Sequence, residues 1–117
     1  MPPTPFHIEI TETFVRLYVF LAQYLDRCLD ETARRTFPEQ ELQQHLASTR
    51  TRMLELVSAN PVVKGKLEKE CERVLALGHA CLSGADAVAR EALHEERDHL
   101  SMKTIALSDL LAVFRAL

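Results

Sequence analysis

The sequence predicts an all-α protein, an antiparallel four-helix bundle with long first and last helices. Three observations carry this. Apolar residues recur at helical spacing in four separate stretches. The junctions between those stretches hold residues that cap or break helices, such as Asn60-Pro61. Between positions 14 and 25 only Arg16 and Gln23 are strongly polar, and they are seven apart, on one line of a helix. The rest of that circumference is apolar, so this helix has to be wrapped by others. A chain of 117 residues is one domain, residues 1–117, and is long enough to bury a core without disulfide or metal staples.

The first helix starts between Pro5 and Thr11. Pro2, Pro3 and Pro5 keep the lead irregular, with His7 placed in that lead. Either Thr4 ahead of Pro5, or Thr11 ahead of Glu12, supplies the cap. Ile8 and Ile10 alternate like a short strand, but no second strand exists to pair with it. Phe14, Leu17, Leu21, Leu25, Cys28 and Leu29 form the main stripe, and Arg34 and Arg35 suit the carbonyl end. Thr36-Phe37-Pro38-Glu39 restarts the chain as a capping box. The second helix turns Leu42, Leu46, Met53, Leu56 and Val57 inward.

Asn60 caps the third helix and Pro61 opens it. Val63, Leu67, Cys71, Val74, Leu75, Cys81 and Leu82 are its inner residues. Gly78 marks either a close approach to another helix or a mild break. Ser83-Gly84-Ala85-Asp86 separates the last two helices, and Ala85, Ala87, Ala89 and Ala92 thin the start of the fourth. In that helix Leu93, Leu100, Leu107 and Phe114 recur every seven residues, with Leu110 and Leu117 at the alternate positions of the same seam. The first helix carries more apolar surface than three neighbours of this size cover, which predicts a homodimer or a protein partner along residues 14–29.

Charge and composition exclude several functions. A formal charge of −3 without a clustered Lys/Arg surface argues against nucleic-acid binding. Cys28, Cys71 and Cys81 are odd in number and form no Cys-x-x-Cys, so they read as small buried hydrophobes. No cationic segment precedes the apolar run, and the run is shorter than the roughly 20 residues that span a bilayer. The expectation is a cytoplasmic protein, without membrane or cofactor.

The dense polar constellation is Glu91-Ala92-Leu93-His94-Glu95-Glu96-Arg97-Asp98-His99. Glu91 with His94, and Glu96 with His99, have the Glu-x-x-His spacing of carboxylate-bridged di-metal bundles. The pairs are five apart on one helix, so they point about 140° apart, and no other helix supplies a matching pair. His94-Glu95 begins like a zinc-protease helix, but Asp98 stands where the second His belongs. His45 and His79 are isolated, and Glu41 with His45 has the wrong spacing. No nucleophile elbow or phosphate loop occurs. The expectation is therefore no metal and no enzyme. Glu91, Glu95 and Asp98 follow i, i+4, i+7 as one acidic ridge suited to a basic protein surface. With His94 beside them, they are the expected partner-binding residues.

The second half of the chain carries a resemblance. It begins at Asn60-Pro61, where a proline opens a helix after an apolar one, and continues through Leu67-Glu68-Lys69-Glu70-Cys71-Glu72-Arg73-Val74-Leu75. It then takes in the loop near Ser83, Ala92-Leu93-His94, and Leu100-Ser101-Met102-Lys103-Thr104-Ile105-Ala106-Leu107. Together these resemble small helical immunity proteins that neutralise NAD(P)-degrading toxins of the bacterial type VI secretion system. The last run is similar to that family's Leu-x-x-Gly-x-Ile-Ala-Val, with Lys103 in place of the glycine. Residues 95–99 look like an insertion, and residues 1–37 have no counterpart. The resemblance implies a non-enzymatic bundle that plugs a toxin's active site. The residues alone also fit a secretion chaperone or regulatory adaptor that binds a client protein, or a metal-binding bundle.

Overall fold

A computed structural model describes residues 4–30, 39–82 and 87–117. Four helices fill them: α1 (Pro5–Leu29), α2 (Glu39–Leu56), α3 (Pro61–Leu82) and α4 (Ala87–Ala116). No strand occurs among the described residues, and Ile8 and Ile10 lie within α1. No helix among them is long and apolar enough to cross a membrane. The expected Arg34–Arg35 helix end, Thr36 cap and Ser83-Gly84-Ala85-Asp86 junction lie outside the described residues.

Thr4, ahead of Pro5, is the cap of α1. The His7 amide donates to its hydroxyl at 3.3 Å, while the Thr4 amide donates to His7 Nδ1 at 3.2 Å. His7 is thus helical and closes a capping box in the role usually taken by Glu or Gln. Thr11 is inside the helix: its hydroxyl, like that of Thr13, donates to the carbonyl four residues back at 2.7 Å. The helix ends at Leu29, earlier than the expected Arg35, because Asp30 turns extended with φ −130° and ψ 122°. Asn60 caps α3 as expected, its Oδ1 accepting from the Val63 amide at 3.2 Å.

α1 is the hub. It touches all three other helices, α3 also meets α4, and α2 meets little besides α1. Named contacts fix the directions. Glu12 meets Arg115 and Asp26 meets Arg97, so α1 and α4 run in opposite senses. Glu9 with Arg52, and Phe20 stacked on His45 at 5.2 Å, give the same result for α2. Tyr24 with Leu75 and Cys28 with Cys81 run forward together, so α1 and α3 share a direction. α4 has 30 residues, about 45 Å, and sets the long dimension of a body measuring 49 × 29 × 26 Å.

The core collects Leu17, Leu21, Leu25 and Cys28 of α1, Leu42, Leu46 and Met53 of α2, Val57 beyond it, Leu67, Cys71 and Val74 of α3, and Leu93 and Leu100 of α4. Cys28 and Cys71 are buried and Cys81 is half-buried, with no disulfide among them. Burial pushes the Cys71 thiol above its ordinary pKa. Val63, expected inside, is exposed. Helix α3 continues through Gly78, whose missing Cβ leaves room for the Tyr24 ring edge and Cys28 Sγ. Of the two readings of that glycine, close approach is the one that holds.

Two seam assignments on α4 are corrected. Leu110 and Leu117 are 42% and 77% exposed, and Leu111 is buried in their stead. Leu110 and Leu111 lie three and four residues after Leu107, so a heptad admits either. The four-residue step keeps Leu111 in line with Leu93 and Leu100.

Candidate functional site: the outer face of α4

At about 100° per residue, Glu91, Glu95, Asp98, Met102, Ile105, Ala106, Asp109 and Val113 fall on one side of α4, and Leu117 follows just beyond its end. Leu93, Leu100, Leu107 and Leu111 fall opposite, towards the core. All nine outer residues are exposed. The structure thus brings the expected Glu91, Glu95 and Asp98 into one line, with His94, also exposed, at its edge.

Met102, Ile105 and Val113 are missed by the sequence reading. They are 68%, 63% and 55% exposed and continue the acidic line as an apolar one. Their spacing is present in the sequence, but the inner heptad alone satisfies a bundle helix, and a second apolar face shows as exposed only once α1 and α3 are placed. The outer side of α4 is therefore acidic in its first half and apolar in its second, interrupted there by Asp109.

The charges of α4 are sorted by side. Every Lys and Arg of the helix reaches a group on α1 or α3, with Arg90, Lys103 and Arg115 still exposed. Arg97 grips Asp26 through Nε at 2.6 Å and Nη2 at 3.2 Å, and donates from Nη1 to Ser101 Oγ at 2.8 Å. Lys103 reaches Glu70 at 3.0 Å and lies 5.5 Å above the Tyr18 ring. Arg115 pairs with Glu12, and Arg90 donates to the Leu29 carbonyl at 3.3 Å. One acid, Glu96, turns inward, where Arg73 holds it in a two-pronged pair at 2.6 and 2.9 Å. Hydrogen bonding from Arg73 lowers the Glu96 pKa against the opposing effect of burial. Glu91, Glu95, Asp98 and Asp109 make no ion pair among the described residues. The outer face consequently carries a run of acids outside any close ion pair, Asp98 acting only at longer range on Arg97.

Beside this face, α1 and α4 enclose an open cleft of about 340 Å³. Val19 and Ala22 form its apolar wall, and Asp26, Arg97 and Ser101 its polar end. Ile105 belongs to both cleft and stripe.

Among the described residues no three His, Cys, Asp or Glu converge as a metal site. Glu96, half of one Glu-x-x-His pair, is taken up by Arg73. His45 stacks on Phe20 and His79 is exposed.

No family model matches the chain, and searches of curated proteins and of solved structures return no significant match. Residues 14–29 of α1, where the sequence predicts a dimer or partner contact, meet all three other helices, and Val19 and Ala22 within them line the open cleft. Among the described residues the exposed large apolar side chains lie on α4 and at Leu117 just after it, on Phe6 at the opening of α1, and on Val62 and Val63 of α3.

Proposed function

We propose that this chain is a non-enzymatic protein-binding helical bundle, an immunity protein that neutralises a cognate secreted toxin in the cytoplasm by occluding its active site. One observation supports protein binding above the rest: the exposed side of α4, where an apolar stripe continues an acidic ridge. Protein interfaces combine apolar anchors with a charged margin, and α4 offers both on one straight element. The toxin class, a type VI NAD(P)-degrading enzyme, rests on the resemblance in residues 60–107 alone.

The test is a strain of the native cell lacking this chain, grown in contact with its parent. Falling NAD(P) and viability in the deleted strain are expected. Equal fitness, with NAD(P) unchanged, overturns the toxin reading. A secretion chaperone or regulatory adaptor would present the same kind of face to a client. Its loss lowers export or regulation of that client without sensitising the cell to its parent, which separates the two.

A further inference from the structure

The strongest unexplained surface is the second half of α4, from Met102 to the end of the helix. A run of this length is about 24 Å long. It shows solvent Met102, Ile105, Ala106 and Val113 on one side, with Leu117 just beyond its end, while Leu107, Leu111 and Phe114 pack the other way. Contiguous apolar surface on a folded domain marks a contact site. The α1/α4 cleft adjoins it through Ile105, so surface and cleft form one shape: a ridge with a slot along its flank.

Charge selects the occupant. The ridge carries Glu91, Glu95, Asp98 and Asp109 and no Lys or Arg, since Arg90, Arg97, Lys103 and Arg115 lie on the flanks of α4 and reach across to α1 or α3. A second copy packed antiparallel on the apolar half brings two Asp109 carboxylates towards each other at its centre. Like charges facing each other oppose association. An anionic lipid surface is repelled by the same acids, because helices that lie on membranes put Lys and Arg beside their apolar face. A cationic helix meets none of these objections.

We infer that the outer side of α4 and the adjoining α1/α4 cleft bind a cationic amphipathic helix of a partner protein. Its apolar side chains, spaced i, i+3 or i+4, and i+7, lie against Met102, Ile105 and Val113, with one entering the cleft between Val19 and Ala22. Its Lys and Arg residues lie over Glu91, Glu95 and Asp98. The inference deepens the protein-binding reading above and rests on it.

The experiment titrates isotope-labelled chain with a synthetic 18-residue helical peptide that has a Leu face and a Lys-rich end. A scrambled peptide of identical composition is the control. Backbone amide shifts are expected along α4 from Glu91 onward and at Val19 and Ala22, with the scrambled peptide at least tenfold weaker. Charge reversal at three sites (Glu91→Lys, Glu95→Lys, Asp98→Lys) is expected to weaken binding at least tenfold, and so is the pair Met102→Ser, Val113→Ser. These are surface changes, and circular dichroism checks that both variants stay folded. Shifts spread over other faces, equal binding of the scrambled peptide, indifference to either variant, self-association through α4, or binding to anionic phosphatidylserine vesicles each overturns it. Peptide binding in a protein whose loss leaves contact growth unchanged defeats the toxin reading and leaves this surface standing. Sensitised growth without peptide binding does the reverse.

Discussion

α1 and α4 are both long, apolar and helical, yet the bundle uses them in opposite ways. α1 turns most of its apolar circumference inside, against three neighbours, leaving Phe6 exposed and Val19 and Ala22 along an open cleft. α4 gives one side to the core and keeps a second apolar side in water. Apolar content alone therefore does not locate a contact surface. What matters is how many sides of a helix its neighbours cover. A central helix absorbs a surplus that a peripheral one leaves exposed.

The sharpest way to break this contrast is truncation at matched positions. Leu25→Ala, at the fully buried centre of α1, is expected to destabilise by about 2–5 kcal/mol in urea unfolding. A loss below about 1 kcal/mol would mean that α1 is not the sealed element described here.

Next in size is the polar clasp between α3 and α4. The Glu96 side chain is 8% exposed, and Arg73 is its partner. Arg73→Ala strands that carboxylate and is expected to lower stability by roughly 1–3 kcal/mol. The pH dependence has a definite sign. Glu96 titrates below its ordinary 4.5 when folded, so the pair's contribution is complete above that value and disappears as pH falls through the lowered pKa. Acid unfolding curves for the native chain and for Glu96→Gln should converge towards low pH. Curves that stay parallel would show that the pair does not set the acid limb.

The two helical glycines of α3 sharpen the inner–outer contrast. A Cβ on Gly78 would collide with the Tyr24 ring, whose hydroxyl donates to the Leu75 carbonyl at 3.3 Å. Gly78→Ala is thus expected to cost about 1–3 kcal/mol despite better helix propensity. Gly65 faces nothing within 4 Å, and Gly65→Ala is expected to stabilise by about 0.5–1 kcal/mol. Thermal melts that rank the two variants the other way would misplace the α1–α3 contact.

The smallest effect belongs to the outer stripe. Met102→Ala is expected to change folding stability by less than about 0.5 kcal/mol. A larger loss would show that the residue packs within its own chain.

Much of this architecture was legible in the residues. Asn60-Pro61 announced the start of α3, and the 17-21-25-28 stripe announced the buried side of α1. Elsewhere local chemistry was ambiguous. Thr4 and Thr11 are equally good caps in isolation, and the Thr4–His7 capping box together with the 2.7 Å bond from the Thr11 hydroxyl to the His7 carbonyl inside α1 separates them. Leu110 and Leu111 are neighbours with equal claims on the heptad, and packing chose one. For the candidate site, the acidic line was readable from spacing. Its apolar continuation was not, because which side of α4 faces water depends on where α1 and α3 lie. The inward turn of Glu96 was hidden for a similar reason: Arg73 is 23 residues away in sequence.

The hub position of α1 has a consequence for synthesis. Its contacts with α4 link residues 71 and 103 positions apart. Ribosomes add roughly 5–20 residues per second, so the first helix emerges roughly 4–20 s before the last one exists to cover it. During that interval α2 and α3 are the only partners made that can cover it, and the side that α4 seals stays open to water.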